Sequence, residues 1–227
     1  SVGEYAAHVA AGTFDFTDAV RVARNRGRYM QEAVPVGEGA MAAILGMKAD
    51  DVRAVCRDAA EGAVVEPANN NSPEQVVISG NAAAVERAAE LAKQRGAKRA
   101  VMLQVSAPFH CSLLKPAQDR LERDLNAIQF HDPEVPVVAN IDAEPRSSAS
   151  AAREALIRQA TGAVQWERSV QKLIALGVNT FIEVGPGKVL CGLMRQIDRS
   201  QPCFNVQDEA SLQKTMNELE PRHNEPG

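Results

Sequence analysis

Between Val36 and Gln104, short apolar segments and helical segments follow one another in an order that few folds accommodate. Gly39 to Leu45 is small and apolar, and Asp50 to Ala60 carries its apolar residues at helical spacing and ends near Gly62. Ala63 to Pro67 and Gln75 to Ser79 read as two short strands joined by a turn through Asn69-Asn70-Asn71-Ser72-Pro73. Asn81 is placed to cap a helix reaching Arg95, with Val85, Ala88, Leu91 and Ala92 on one stripe and Gly96 at its end. Arg99 to Val105 reads as a closing strand. One-sided helices and short strands hide apolar surface only by packing on each other. The β-α-β-β-α-β order therefore predicts a ferredoxin-like layer over residues 36–104.

Outside that stretch the pattern suits a second α/β layer. Val135 to Ile141 and Thr180 to Val184 read as buried strands. Leu114 to Ile128, Ala151 to Ala160, Trp166 to Leu176 and Val189 to Ile197 read as helices. The expected organisation is an open-sheet lobe of residues 1–35 and 105–227, interrupted by the subdomain at 36–104. A length of 227 residues suits one core with an insertion. With 45% apolar and 24% charged residues the chain can bury that core. A net charge of −4 argues against a nucleic-acid surface, and no apolar run approaches the length of a membrane span.

Ser1 is not an initiator methionine and opens no signal or targeting segment, so the chain is expected to be trimmed at its front. Cys56, Cys111, Cys191 and Cys203 form no C-x-x-C pair and no metal-like cluster with the four histidines. Reduced thiols, a cytoplasmic location and no metal are the expectation. The polar closing run from Glu220 to Gly227 is expected to fray.

Three residues stand out chemically. Ser1-Val2-Gly3-Glu4-Tyr5 matches the second half of the strand-to-helix turn written G-x-S-x-G, although a Ser-x-Gly at a helix start is more often a plain cap. The helix after it, Tyr5 to Ala11, closes at Gly12, a residue suited to a left-handed helix end. Thr17 can cap a next helix whose apolar stripe runs Ala19, Val22, Ala23 and Met30. Arg26 falls inside that stripe, while Arg21, Arg24 and Arg28 fall opposite. A buried arginine keeps its charge and needs an anion, either an internal Asp or Glu or a substrate carboxylate. His110 sits where a strand leaves the subdomain, on a loop that Pro108 biases away from helix. It is placed either for catalysis or for simple exposure. Neighbouring Cys111 is a second candidate nucleophile, and His8, His131 and His223 have weaker contexts. Gly185-Pro186-Gly187 is either a crevice-lining turn or a plain connection, without the spacing of a phosphate loop.

Taken together these residues resemble the malonyl-CoA:acyl carrier protein transacylase family and the related acyltransferase domains of polyketide synthases. Ser1 to Tyr5 is similar to the end of the family's G-H-S-x-G-E-Y elbow, and Arg26-Gly27 with Met30-Gln31 to its helical R-G segment. Gly39 to Ile44 resembles its G-x-M-x-A strand, and Asn71-Ser72-Pro73 with Gln75 to Gly80 its N-S-P-x-Q-x-V stretch. Phe109-His110, Gln159 with Val164-Gln165-Trp166, and Glu183 to Gly187 match its remaining segments.

The resemblance implies an α/β-hydrolase-like open-sheet lobe with an inserted ferredoxin-like subdomain. It implies malonyl transfer from coenzyme A to the phosphopantetheine thiol of acyl carrier protein through a seryl ester, in fatty-acid synthesis. Ser1 would be the nucleophile, His110 its base, the Gln159 backbone carbonyl the orienter of that base, and the Val2 N–H an oxyanion donor. Arg26, Asn71 and Phe109 would meet the substrate, with Phe109 crowding an α-methyl branch. No cofactor is implied, because malonyl-CoA is a substrate. An acidic carrier would need a basic rim, for which Arg24, Arg28 and Lys115 are the candidates. The family's segment before the nucleophile, with early strands and a G-Q-G loop, has no counterpart here, so an N-terminally incomplete lobe, inactive alone, is expected. The rival readings are an N-terminal-nucleophile hydrolase using the Ser1 amine as base, a lipase-type serine hydrolase, and a non-enzymatic carrier-protein docking or dead acyltransferase domain.

Overall fold

A computed structural model describes residues 1–219, so the expected fraying of 220–227 and the context of His223 lie outside the described residues. The fold is mixed α/β with open sheets, in two compact units, residues 1–172 and residues 173 onward.

In the first unit α1 (Gly3–Ala10) and α2 (Phe16–Glu32) lead into β1 (Gly39–Leu45). Gly12 takes φ +71° after α1, the left-handed end its position suggested. Thr17 is no cap: α2 starts one residue earlier, after Asp15, and neither residue caps it through a side chain. Then come α3 (Ala49–Ala60), β2 (Val65–Ser72), β3 (Gln75–Asn81), α4 (Ala82–Gln94) and β4 (Arg99–Met102). The four strands form one antiparallel sheet in the order β2-β3-β1-β4. Alternation sorts its two faces. Ala42, Ile44, Val76 and Ile78 point at Val52, Val55, Val85 and Ala88 of the two helices, forming one core. Met41 and Val77, on the other face, pack with Ala68, Leu103 and Phe109.

Strand β2 runs further than the sequence suggests. Asn69 to Ser72, expected as a turn, stay in the ladder with two register shifts, and the reversal falls after Ser72. Asn70 N–H donates to Val164 O at 2.8 Å and its side-chain amide to Gln165 Oε1 at 2.9 Å, so tertiary partners hold this polar run extended. Asn81 does not cap α4 either, because its Oδ1 accepts from Val64 N at 2.8 Å.

A 3-10 turn (Ser112–Leu114) opens α5 (Lys115–Ala127), followed by β5 (Val137–Val138), β6 (Pro145–Arg146), α6 (Ala149–Gln159) and α7 (Trp166–Ala175). The expected strand from Val135 to Ile141 shrinks to the β5–β6 pair. Pro136 offers no N–H, and past Val138 the chain turns back, with Ala139 N–H on Glu144 O. Helices α1, α2, α5 and α6 bury Tyr5, Phe14, Val22, Met30, Leu121, Leu125 and Leu156 together in a second core.

The second unit contains β7 (Phe181–Val184), α8 (Val189–Ile197), β8 (Cys203–Val206) and α9 (Glu209–Leu219). Strands β7 and β8 pair in parallel around the crossover helix α8. Cys191 and Cys203 form a disulfide across that unit with a Cα–Cα distance of 5.5 Å, correcting the expectation of four free thiols. Cys56 and Cys111 are free and buried. No helix among the described residues is long and apolar enough to cross a membrane.

Candidate active site

Helix geometry delivers the first half of the site. In α1, Glu4, Tyr5 and His8 share the buried face, so the chain enters the core at Glu4, three residues after Ser1. In α2, Arg26 is 5% exposed beside Val22 and Met30, whereas Arg21, Arg24 and Arg28 face solvent, as periodicity requires. The second half comes from the loop after β4. Phe109 packs on the helix-free face of the sheet and against the helical core, which carries His110 to 5% exposure. Gly39 makes this possible, since a Cβ there would strike the Pro108 ring. His110 takes φ +62°, a left-handed conformation unusual for a non-glycine residue and one that concentrates at functional sites.

Two side chains converge on one hydroxyl. His110 Nε2 lies 3.0 Å from Ser1 Oγ, and Arg26 Nη2 donates to the same oxygen at 2.8 Å. His110 Nδ1 lies 3.0 Å from the backbone carbonyl of Gln159. A carbonyl only accepts, so Nδ1 carries the proton and Nε2 offers its lone pair to the Ser1 O–H. Burial, then the Arg26 charge, hold the His110 pKa down at about 4 against the ordinary 6.5. The ring is neutral at physiological pH and able to accept a proton.

Arg26 has no ion pair among the described residues, and its buried Nε has no partner. Its other Nη2 bond, 3.0 Å, goes to Oε1 of Gln159, a neutral acceptor. The internal carboxylate that a buried arginine could have used is therefore not paired with it. Burial lowers the arginine's pKa, but a guanidinium stays charged. An anion-ready cation thus sits beside the hydroxyl.

The remaining expected residues sort unevenly. Gln159, 1% exposed, contributes its backbone carbonyl as expected and its side chain as well. Val2 precedes the first full turn of α1, and its N–H has no acceptor among the described residues. Asn71 lies half-buried in β2, and no hydrogen bond joins it to Ser1, Arg26 or His110; its neighbour Asn70 makes the tertiary bonds. Lys115 is paired with Asp119 at 2.6 Å and Arg28 lies 4.0 Å from Glu32, so of the three rim cations Arg24 is the one without an ion pair among the described residues.

Competing candidates find other partners. Cys111 is fully buried, its Sγ donates to Pro108 O at 3.2 Å, and burial pushes its thiol pKa up, which makes it a poor nucleophile. His8 is buried against Thr13 Oγ1 at 3.0 Å, and His131 is exposed. In the second unit, Glu183 accepts from Leu190 N at 3.0 Å and Cys191 N at 2.8 Å. The helix amides after Gly185-Pro186-Gly187 are thereby taken by the chain's own carboxylate.

One participant has no counterpart in the sequence reading as a site residue. Glu4, 6% exposed, accepts from Gln159 Nε2 at 2.7 Å and from Asn140 N at 3.0 Å through one oxygen, and its Oε1 has no partner. The signal available was its place on the buried face of α1, one turn before His8.

Known proteins resemble this chain over most of its length. The model of the acyl transferase domain family matches residues 1–221. The malonyl CoA-acyl carrier protein transacylase of Escherichia coli K12 is 53% identical over 197 residues, covering 87% of this chain and 64% of its own length. The chain thus spans less than two thirds of that relative. The malonyl CoA-acyl carrier protein transacylase structure from Coxiella burnetii superposes with a TM-score of 0.93 at 43% identity, covering 96% of this chain and 69% of that one. A malonyl-transacylase solved in complex with its type II polyketide synthase acyl-carrier protein gives a TM-score of 0.92 at 45% identity, covering 95% and 70%. The chain belongs to the acyl transferase domain family.

Proposed function

We propose that this chain carries the catalytic residues of a malonyl-CoA:acyl carrier protein transacylase, which moves a malonyl group between two thiols through an ester on Ser1. The observation that carries the reading is the shared hydroxyl: Ser1 Oγ meets both a neutral imidazole and an unpaired guanidinium. Malonyl-CoA brings a thioester and a free carboxylate, which are the two groups such a pair of residues can serve.

The first half-reaction begins with attack of Ser1 Oγ on the thioester carbonyl while His110 Nε2 takes the hydroxyl proton. The oxyanion needs donors where charge develops, and on this reading the Val2 N–H, free of a partner among the described residues, serves as one of them. Collapse expels the thiolate of coenzyme A, which the His110 imidazolium protonates. The Gln159 carbonyl orients the ring but stabilises the imidazolium less than a carboxylate would. Thiolates leave readily, so this weaker partner suffices. In the second half-reaction the phosphopantetheine thiol of acyl carrier protein gives its proton to His110 and attacks the seryl ester; collapse breaks the bond to Ser1 Oγ, which takes the proton back from the His110 imidazolium, leaving malonyl on the carrier thiol and the free hydroxyl on Ser1. Throughout, Arg26 swings from Ser1 Oγ to the malonyl carboxylate, the pairing its planar fork fits. Phe109 and Asn71 belong to the acyl and pantetheine surroundings in this reading, and exposed Arg24 to the carrier-facing rim.

The finer architecture belongs to the same proposal. The β2-β3-β1-β4 order with both helices on one face supports a ferredoxin-like subdomain at 36–104, inserted in an α/β-hydrolase-like lobe of residues 1–35 and 105–227. The work would take place in the cytoplasm, without a cofactor. A polyketide synthase acyltransferase domain would use the same residues. A lipase-type triad is disfavoured by the carbonyl, not carboxylate, on His110 Nδ1, and an N-terminal-nucleophile site by the helix that starts at Gly3.

The test is transfer from malonyl-CoA to purified holo acyl carrier protein by the protein as its gene encodes it. Ping-pong kinetics with parallel double-reciprocal lines are expected. Intersecting lines, or hydrolysis of simple esters without transfer, would overturn the proposal.

A further inference from the structure

We infer that Glu4 is a positioning residue: it locks the Gln159 side-chain amide in the one orientation that holds Arg26 beside Ser1, and so sets the preference for a carboxylate-bearing acyl group. The inference rests on the malonyl reading above and adds a residue to it.

The Gln159 side chain stands between an anion and a cation. Its Nε2 donates to Glu4 Oε2 at 2.7 Å and to the Ser1 carbonyl at 3.2 Å, while its Oε1 accepts from Arg26 Nη2 at 3.0 Å. Flipping the amide would set NH2 against the guanidinium and the carbonyl oxygen against two acceptors, three mismatches at once. Of the three contacts that forbid the flip, the one with Glu4 is the shortest, and it joins the amide to a carboxylate. It is itself fixed by the Asn140 N–H at 3.0 Å and by its place in the first turn of α1.

Glu4 is also costly to keep there. Its Oε1 is buried without a partner, and burial raises its pKa against the pull of the bonds from Gln159 and Asn140. A residue that served packing alone would not need a carboxylate at 6% exposure, 136 positions from the backbone N–H it accepts. With the carboxylate removed, Gln159 is free to rotate, and the guanidinium loses its neutral acceptor and its place beside Ser1 Oγ. His110 keeps its orientation, because its partner is the Gln159 backbone and not the side chain. Removing Glu4 should therefore damage recognition of the acyl carboxylate more than proton transfer.

The experiment measures kcat and KM for malonyl-CoA and acetyl-CoA in the protein as its gene encodes it, with Glu4→Leu, Glu4→Gln, Gln159→Met and Arg26→Ala compared by thermal melting. Glu4→Leu should lower the malonyl-to-acetyl ratio of kcat/KM by about 10²-fold, chiefly through KM, because small misplacement of a binding group costs that much. Glu4→Gln, which still presents a carbonyl acceptor, should recover the ratio to within a few-fold. Gln159→Met should match Glu4→Leu, and adding Glu4→Leu to it should cost nothing more. Should Glu4→Leu fail to fold, that comparison is read from Gln159→Met against Glu4→Gln. An unchanged ratio in folded Glu4→Leu or Gln159→Met, or an equal loss of both transfers, overturns the inference while Arg26→Ala still inverts the preference. An Arg26→Ala protein with an unchanged ratio removes the malonyl reading itself, and this inference with it.

Discussion

At Ser1 Oγ every donor finds an acceptor: the hydroxyl donates a hydrogen bond to His110 Nε2 and accepts one from Arg26. On the proposed mechanism, in which His110 is a general base carried on a loop, His110→Ala should lower kcat by about 10²–10⁴ with little change in melting temperature. The pH profile carries the sign of its environment. The base must be neutral, so kcat/KM falls as pH drops through the free-enzyme value, near 4 instead of 6.5. Arg26→Ala removes a cation that holds that value down, and should move the acid limb upward in a stopped-flow pH series. An unmoved limb would separate the two residues electrostatically. Arg26→Ala should also cut malonyl transfer by about 10⁴ while acetyl transfer holds or rises, and Arg26→Lys should restore part of it, as a point charge lacks the fork. Arg26 was legible because a charge interrupted a helical stripe. The Gln159 side chain and Glu4 were not, since their importance arises from contacts spanning 133 and 155 positions.

Among the elements, helices followed from periodicity and strands did so less well. Val189–Ile197 lies where its apolar spacing put it, and α3, α4 and α5 differ from expectation by about a residue at an end, the usual uncertainty of frayed termini. The polar end of β2 was read as a turn because Asn-Asn-Asn-Ser has no strand propensity of its own; Val164 and Gln165 supply the bonds that keep it extended. The Cys191–Cys203 pair was hidden for a similar reason, as it depends on β8 lying beside β7. Gly39→Ala is the test at this scale. Its Cβ strikes Pro108, one residue before Phe109, so the loop bearing His110 must shift. Turnover should fall by about 10-fold or more with malonyl-CoA KM less affected, because base geometry is disturbed before the carboxylate site is. Wild-type kinetics in that variant would show the loop position to be independent of the packing at Gly39.

For the whole molecule, two buried histidines make stability depend on acidity. His8 and His110 both have pKa values held near 4, below the 6.5 of an unfolded chain, so the unfolded state binds more protons between those values. Stability is full above about pH 6.5 and declines as pH falls towards 4. Glu4, with its raised pKa, works in the opposite direction and offsets part of the decline. His8→Gln should flatten the fall of melting temperature with acidity in scanning calorimetry without touching the acid limb of catalysis, since His8 pairs with Thr13 away from Ser1. A slope unchanged by His8→Gln would remove burial of that ring as a cause. The central claim is that Ser1 carries the acyl group. The most direct measurement is to treat the protein as its gene encodes it with malonyl-CoA, quench in acid, digest, and locate the adduct by mass spectrometry. A malonyl ester on the peptide containing Ser1, absent from Ser1→Ala, is the expected result; an adduct on Cys111, or one that survives Ser1→Ala, would contradict it.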